Sequence, residues 1–373
     1  MSKLIVASIG PASSVQDGGR HGAQRYGLPP SGAMDRLALA AANVLVGNDP
    51  FAAAIEIGPF TATFTAKDGA VRVALSGAPR SADVAGRPVA VDMSMTIADG
   101  EKLTLGFARG GAFSYLAIEG DIAGEPMFGS LAVNARAGLG SPYPRPLHAG
   151  DELQVNAASG GTERRIELPA PATGPIRVIF GPQDDEFSDD AKALLLACEW
   201  KISPTSDRMG YRLEGPVIKH LDGHNIVSDG TVDGSIQVPG NGAPIVLMPD
   251  RGTSGGYPKI ATVLSVDLGR LAQIPAGTGF RFKAVSMADA QAEARKFADL
   301  LRSLPDRLRA IDATALNIDA LHDVNVAGSA VNAIDVDTWH AEADILTPEG
   351  KTHDHNRSQQ RSRRKLWPLG NGQ

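Results

Sequence analysis

The feature that most constrains the fold is a series of short apolar, β-branched segments that alternate with glycine turns between residues 55 and 153. Turns such as Asp68-Gly69 and Asp99-Gly100 separate these segments, and short strands at this spacing are typical of β-barrels and β-sandwiches. The 42 glycines and 25 prolines suit many tight turns better than long helices. We therefore predict a mainly β protein with a few helices, with strands at residues 55–57, 62–64, 71–75, 88–91, 102–105 and 114–118.

The sequence also contains an internal repeat. A strand that ends in Gly-Pro occurs at residues 4–11 and again at 176–182, and residues 147–153 are similar to 274–280. Because the period is far longer than that of solenoid proteins, the repeat predicts two copies of one β-fold. The expected organisation is an N-terminal barrel with an inserted helix over 1–165, a Pro-rich linker over 166–175, and a second barrel with a C-terminal helix over 176–304.

Three segments have the apolar spacing and the end signals of helices. The first begins after Ser31 as the N-cap and ends at Gly47, the second begins after Ser188, and the third begins after Ser286. Pro305 stops the third helix.

The remaining residues, 305–373, lack a sustained apolar period and end in a basic cluster, so we predict an appended, partly disordered tail. His353 and His355 lie in this tail and have the chemistry of metal ligands. Two histidines in a polar tail are more often solvated, however, and we predict no metal site.

The net charge and the cysteine content exclude several classes of partner and site. The net charge of -6 gives no reason to expect nucleic acid or an anionic membrane as the main partner. The single cysteine, Cys198, excludes an intrachain disulfide and a cysteine-based zinc site, so core packing is its expected role. The first residues have no secretory signal and the chain has no 18-residue apolar run, so we expect a cytoplasmic protein.

A polar, glycine-rich loop at residues 250–259 is the first candidate site. Apolar runs at 244–248 and 260–264 flank it, so it is predicted to connect two strands. Its glycines let the backbone come close to a ligand and turn N–H groups toward it. The alternative is a polar hairpin loop in which Asp250 and Arg251 pair with each other. The candidate residues of this loop are Asp250, Arg251, Thr253, Ser254, Gly255, Gly256, Tyr257 and Lys259.

A second polar loop, at residues 15–22, follows the first predicted strand. It contains Gln16, Asp17 and Arg20 at positions where Ser and Asn would serve an ordinary loop equally well. A solvated loop is the alternative interpretation for this segment.

Six spaced segments of the sequence, considered together, resemble a known family. They include Val15-Gln16-Asp17-Gly18-Gly19-Arg20, Ser206-Asp207-Arg208-Met209-Gly210-Tyr211 and the loop at 250–260, and the others lie at 27–35, 43–48 and 236–239. These segments are similar to the signature segments of the biotin-dependent carboxyltransferase family, also called allophanate hydrolase subunit 2 or KipA, which includes the C-subunit of the bacterial 5-oxoprolinase. The resemblance extends over about residues 4–296.

The resemblance implies two cyclophilin-like β-barrels in one chain, in agreement with the repeat. It also implies partners: a KipI-like B-subunit and, in 5-oxoprolinase, a LamB/YcsF-type A-subunit, which together open the lactam of 5-oxoproline to L-glutamate with ATP. In fused relatives such as urea carboxylase, the same barrels accept carboxyl-biotin and carboxylate urea. The alternatives are therefore a carboxyltransferase that acts on a urea-like amide, or a non-enzymatic, KipA-like antagonist of a kinase inhibitor.

Both reactions need donors at the oxygen of a resonance-stabilised amide and a carboxylate near its nitrogen. On that basis the resemblance implies catalytic roles for Arg251, Asp250, Lys259 and Arg208. The predicted substrate-binding residues are Gln16, Asp17, Arg20, Ser31, Asp35, Arg212, Gln237, Thr253, Ser254, Gly255, Gly256 and Tyr257. Family members commonly have Gln and Thr at the positions of Gly252 and Ser254, which leaves the exact substrate open.

The sequence contains neither a Gly-x-x-x-x-Gly-Lys-Ser/Thr phosphate loop nor a Met-Lys-Met biotin attachment site. ATP is therefore expected to be shared with, or supplied by, a partner protein. Biotin is not expected to be carried by this chain.

Overall fold

The computed structural model describes residues 2–311, which form a mainly β structure with four α-helices. The strands of the first half are β1 (Ser2–Ile9), β2 (Ser14–Gln16), β3 (Ala54–Ile57), β4 (Ala62–Lys67), β5 (Val71–Gly77), β6 (Ala82–Val84), β7 (Arg87–Val89), β8 (Met93–Ile97), β9 (Lys102–Leu105), β10 (Ser114–Ile118), β11 (Glu152–Val155) and β12 (Arg164–Ile166). Those of the second half are β13 (Ile176–Phe180), β14 (Trp200–Ile202), β15 (Gly210–Glu214), β16 (Asp229–Gly230), β17 (Ser235–Gln237), β18 (Ile245–Leu247), β19 (Ser254–Gly255), β20 (Lys259–Val263), β21 (Gly279–Phe280), β22 (Phe282–Ala284) and β23 (Leu308–Ala310). The helices are α1 (Arg36–Leu45), α2 (Asp189–Ala197), α3 (Leu268–Ala272) and α4 (Met287–Ser303), with short 3-10 turns at Gln24–Tyr26, Asp184–Glu186, Ser265–Asp267 and Pro305–Arg307. The predicted fold class, mainly β with a few helices, is confirmed.

The first half consists of two antiparallel sheets around a common core. One sheet has the order β11-β1-β4-β9-β6-β7, and the other has the order β2-β3-β10-β5-β8-β12-β23. Phe64 and Leu103 of the first sheet share one fully buried hydrophobic cluster with Leu75 and Leu116 of the second. The side chains that alternate toward one face of each strand therefore meet between the two sheets.

Helix α1 covers the outer face of the second sheet. Its residues Ala40, Ala41 and Ala42 are fully buried, and they share a cluster with Ala74 of β5 and Ala117 of β10. Alanine side chains on both surfaces let the helix backbone lie close to the strands. The same hydrophobic cluster continues into the second half, so α1 belongs to the packing of both halves.

The second half is a nearly closed barrel of eight strands in the order β21-β14-β15-β18-β17-β20-β13-β22. The two edge strands, β21 and β22, are separated in the chain only by Arg281, so the ends of the sheet meet at almost the same point. Closure of this kind removes the free edges that an open sheet would expose. Each half opens on a strand, as the repeat predicts, but β1 pairs antiparallel with β11 whereas β13 pairs parallel with β22.

The N-cap predicted for the first helix is wrong. Asp35, not Ser31, caps α1, since its Oδ1 accepts from the backbone N–H groups of Leu37 (3.1 Å) and Ala38 (3.2 Å). Ser31 has a φ of 55°, in the left-handed region, whereas an N-cap residue is normally in the extended region. The caps predicted at Ser188 and Ser286 are confirmed.

The ordered chain continues past the predicted boundary at Pro305. Leu304 is fully buried, and β23 then pairs antiparallel with β12, so that Ile166 lies opposite Leu308 and Arg164 opposite Ala310. The last described strand therefore belongs to a sheet of the first half. Residues up to Ile311 form one compact unit, and no helix in this described part is long and apolar enough to cross a membrane. The predicted tail histidines and basic cluster lie outside the described residues.

We expect a chain that ends at Leu304 to be less stable than a chain that ends at Ile311. The shorter chain loses β23 and its backbone hydrogen bonds to β12, which we expect to lower the free energy of unfolding by about 1–3 kcal/mol. Urea denaturation of the two truncated proteins measures the difference. Equal midpoints would show that β23 contributes nothing to the stability of the sheet.

Candidate functional site

A partly buried arginine, with a side chain 13% exposed, links the loops of the two halves. Arg208 lies between β14 and β15, and its Nε donates to Asp250 Oδ2 (2.9 Å) in the candidate loop. Its Nη2 donates to the carbonyl oxygen of Gly32 (2.6 Å) and to Gln16 Oε1 (3.3 Å), and its Nη1 donates to Glu56 Oε1. The acceptors come from four segments of the chain, so this guanidinium fixes their relative positions.

Glu56 and Tyr115 complete this cluster and are not among the residues predicted from the sequence. Glu56, on β3, is fully buried, and its Oε2 accepts from Tyr115 Oη (2.7 Å) and from the backbone N–H of Met34 (2.8 Å). Tyr115 Oη in turn accepts from the backbone N–H of Asp35 (2.7 Å). A glutamate between two isoleucines in a buried strand is the sequence signal that could have revealed this group.

The electrostatics of the cluster keep Arg208 charged. Burial alone would lower the pKa of Arg208, but the nearby Asp250 and Glu56 carboxylates outweigh this effect and raise it. Burial raises the pKa of Tyr115, and the negative charge of Glu56 raises it further, so the phenol stays protonated and donates to Glu56.

Four predicted binding residues make hydrogen bonds to other parts of the chain: Gln16 and Asp17 in the loop at 15–22, and Ser31 and Asp35 before α1. Gln16 Nε2 donates to Ser14 Oγ and to the carbonyl oxygen of Val133, and Asp17 accepts from Gly19 N, Ser130 Oγ and Leu131 N at 2.7–2.8 Å. Ser31 N donates to the carbonyl oxygen of Pro249 (3.1 Å), directly before the candidate loop. Asp35 Oδ2 accepts from Gln273 Nε2 (2.9 Å) while Oδ1 caps α1.

Arg20 is a buried cation with unused donors. Its Nη2 donates to the carbonyl oxygen of Ala132, whereas its Nε and Nη1 have no hydrogen-bond partner among residues 2–311. Burial lowers the pKa of Arg20, and the carboxylates of Asp17 and Asp250 oppose this effect.

Arg251 does not pair with Asp250, as the alternative interpretation of the loop supposed. It is buried and donates through Nη1 to Asp233 Oδ1 and through Nη2 to the carbonyl oxygen of Thr231 (3.3 Å). Its Nε has no partner within the described part of the chain. Burial lowers the pKa of Arg251 and raises that of Asp233, so both pKa values shift in the direction that disfavours the charged form.

Lys259 is the third buried cation of the site. Its side chain is 2% exposed, and Nζ lies 3.0 Å from Asp229 Oδ2, but not in the direction of a well-formed hydrogen bond. The side-chain amide of Gln183 bridges the two residues, since Nε2 donates to Asp229 Oδ2 (3.1 Å) and Oε1 accepts from Lys259 N (3.2 Å). Contact with Lys259 and then with Gln183 lowers the pKa of Asp229.

The remaining predicted residues differ in how far they are exposed to solvent. Arg212 is exposed on β15 and does not contact the cluster around Arg208, although it is near in sequence. Ser254 and Tyr257 are exposed at the tip of the loop, and Thr253, Gly255 and Gly256 are half-buried. Gln237 lies behind the loop, because a Cβ on Gly255 would come within 3.4 Å of Gln237 Oε1.

A groove of about 1420 Å³ reaches the edge of this region. Its lining includes residues of the linker and of α4, together with His21, Met34, Arg36, Asp233 and Pro249. Small polar ligands commonly bind in concave sites of this kind, where a few polar groups converge.

The three buried cations, Arg20, Arg251 and Lys259, share a chemical property: each keeps at least one unpartnered N–H donor among the described residues. Unsatisfied buried donors are costly, and an anionic oxygen or a polarised amide oxygen would satisfy them. Among residues 2–311, no group of three His, Cys, Asp or Glu side chains is placed to hold a metal ion. The arrangement therefore suits a ligand that presents oxygen acceptors.

Comparison with known proteins gives a consistent result. Residues 26–284 match the family model described as carboxyltransferase domain, subdomain A and B. The chain is 38% identical to the 5-oxoprolinase C-subunit of Escherichia coli (strain K12), over 78% of this chain and 93% of that protein. It is 33% identical to the 5-oxoprolinase C-subunit of Haemophilus influenzae, over 81% of this chain and 99% of that protein.

A solved structure shows the same fold. The crystal structure of the K. lactis urea amidolyase aligns with a TM-score of 0.75 at 26% identity, over 85% of this chain. This chain covers only 20% of that longer protein.

We expect Arg208→Met to destabilise the fold strongly, because it leaves the fully buried carboxylate of Glu56, and the partly buried carboxylate of Asp250, without their cation. Removal of one partner from a buried ion pair costs about 3–5 kcal/mol of the free energy of unfolding. The matched control is the exposed Arg212→Met, for which we expect a change within about 0.5 kcal/mol. Urea denaturation measures both, and a second substitution, Glu56→Gln, should recover part of the loss. Equal stability of the two arginine variants would contradict this role of Arg208.

Proposed function

Because the chain belongs to the carboxyltransferase domain family, subdomains A and B, we propose that it is the C-subunit of an ATP-dependent 5-oxoprolinase. Such an enzyme opens the lactam of 5-oxoproline to L-glutamate. The observation that carries the proposal is sequence identity: the chain is 38% and 33% identical to two 5-oxoprolinase C-subunits, over 93% and 99% of those proteins, against 26% identity to the urea amidolyase.

The proposed enzyme needs two partner proteins, a KipI-like B-subunit and a LamB/YcsF-type A-subunit. The sequence supports this proposal because it has no phosphate loop of its own, so the residues present do not fit a complete ATP site. ATP supplies the free energy for opening a stable amide, and we derive no step through it on this chain. Biotin takes no part in this reaction and has no attachment motif here.

The residues of the site have the chemistry that lactam opening requires. The unpartnered Nε of Arg251 is a charge-assisted donor that can stabilise negative charge on the amide oxygen. Asp250 accepts from two donors of Arg208, which orient the carboxylate toward the position proposed for the amide nitrogen. Arg208 is therefore a positioning residue, which acts through Asp250.

A second candidate function is carboxyl transfer to a urea-like amide. The carboxyltransferase description of the family model and the TM-score of 0.75 to the K. lactis urea amidolyase favour it. Both functions use donors at an amide oxygen, so the same residues serve either reaction. Gly252 and Ser254 are exposed in the candidate loop. A substrate that differs from that of other family members would therefore make different contacts at these two positions.

We expect the full chain to form a stable complex with a KipI-like and a LamB/YcsF-type protein, and we expect that complex to hydrolyse ATP only when 5-oxoproline is present. Co-expression, size-exclusion chromatography and a coupled ADP assay test both statements. A mixture that lacks this chain is the control. Separate elution at micromolar concentration, or ATP hydrolysis that depends on urea and carboxyl-biotin instead, would contradict the proposal.

We expect Arg251→Lys to lower turnover by the complex about 10²–10³-fold, the typical effect of losing one oxyanion donor. Lysine keeps the charge but lacks the planar fork of donors that reaches both Asp233 and a ligand. The control is Arg302→Lys, at an exposed position of α4. Melting temperature and complex formation are measured alongside, and a folded, assembled Arg251→Lys protein with near-wild-type turnover would remove Arg251 from the site.

A further inference from the structure

Residues 221–230, which we call the strap, lie across the candidate loop. Every residue from 221 to 230 except Ile226 is exposed, and Val227 is 91% exposed. The strap is attached by the two-residue pairing of β16 with β19 and by a few backbone contacts, such as Ile226 N to the carbonyl oxygen of Gly256 (2.9 Å). A segment with so little buried surface opens at low free-energy cost.

The strap supplies the counter-ion of a buried lysine. Asp229, on β16, places Oδ2 3.0 Å from Lys259 Nζ. The two members of this pair differ in environment, because the Lys259 side chain is 2% exposed and that of Asp229 is 50% exposed. Lys259 thus belongs to the barrel, on β20, whereas Asp229 belongs to the weakly attached strap.

The two groups that hold the Asp229 carboxylate, Lys259 Nζ and Gln183 Nε2, lie outside the strap. Lys259 belongs to β20, and Gln183, whose Nε2 donates to the carboxylate, closely follows β13. Both donors remain in place if the strap moves, since Gln183 is also fixed by its bond from Lys259 N (3.2 Å). Lys259 Nζ has no well-formed hydrogen bond within the described residues, so Asp229 does not satisfy it completely.

From these contacts we propose that Asp229 occupies the place of a ligand carboxylate, which displaces it and binds Lys259 Nζ and Gln183 Nε2 when the strap opens. The ligand class is a small molecule with one carboxylate, because the site offers one buried cation and one neutral amide donor. For the rest of the ligand, a cyclic amide beside Arg251, the inference rests on the proposed function. Asp229 then acts as an internal competitor that sets the apparent affinity.

The first test is Asp229→Asn in the full chain, with binding measured by isothermal titration calorimetry. If the strap carboxylate occupies the site in about nine of ten molecules, its removal tightens the apparent Kd for L-5-oxoproline about tenfold. We expect no change for 2-pyrrolidinone, the same ring without the carboxylate. Asp222→Asn is the matched control, because Asp222 is an exposed aspartate of the same strap that makes no ion pair among residues 2–311.

The second test holds the strap closed. Gly230 and Ser254 lie opposite each other in the β16–β19 pair, and a Cβ at Gly230 meets open space. Gly230→Cys and Ser254→Cys, made in a Cys198→Ala chain, can therefore form a disulfide across the pair. We expect the oxidised protein to lose binding of L-5-oxoproline by more than about tenfold, which corresponds to about 1.4 kcal/mol, and the reduced protein to recover it.

Several outcomes would overturn the inference. They are weaker or unchanged binding in Asp229→Asn relative to Asp222→Asn, equal binding by the oxidised and reduced locked chains, and no binding by any of these proteins. Acetate, the smallest carboxylate probe, separates this inference from the proposed function. If Asp229→Asn tightens acetate binding but L-5-oxoproline binds no better than acetate, the carboxylate site stands and the proposed substrate is wrong.

Discussion

The guanidinium of Arg208 is largely shielded from solvent, charged and shared between two carboxylates from different halves of the chain, Glu56 and Asp250. An unpaired charge at this position would be costly. The two halves must therefore pack so that all the acceptors of Arg208 lie within hydrogen-bond distance. Since Gly32 and Gln16 accept from the same group, the loop before α1 is fixed by the same contact as the candidate loop. One ion-pair network therefore both joins the halves and shapes the site.

The cationic side chains of the site differ in whether all their hydrogen-bond donors have acceptors, and this difference determines what the site can bind. Arg208 has an acceptor for each of its nitrogens, whereas Arg20, Arg251 and Lys259 keep donors that no described residue satisfies. A fully satisfied cation serves structure, and a partly satisfied one retains the capacity to bind. Both kinds are linked within the candidate loop, since Asp250, the partner of Arg208, directly precedes Arg251.

Local features of the fold could be predicted from the sequence, and contacts between distant residues could not. Most strands of the first half and the caps at Ser188 and Ser286 depend on neighbouring residues and were predicted correctly, whereas β6, β8 and the short helix α3 were missed. Ser31 failed as an N-cap because a backbone bond to Pro249, far along the chain, holds it in a turn. Arg251 likewise pairs with Asp233 rather than with its neighbour Asp250, since the partner is brought in by the fold. Glu56 was missed because only the tertiary structure shows what a buried strand glutamate faces.

Because β12 pairs with a strand much later in the chain, β23, the sheet of the first half is completed late in synthesis. When the first half leaves the ribosome, β12 is the free edge of its sheet, and it stays so until β23 has been made. An unpaired edge is a template for association with other chains, and pairing between distant segments is slow. The second half therefore folds while the sheet of the first half is incomplete. Since β23 pairs with β12, the two halves are not independent pieces that could be separated between β12 and β13.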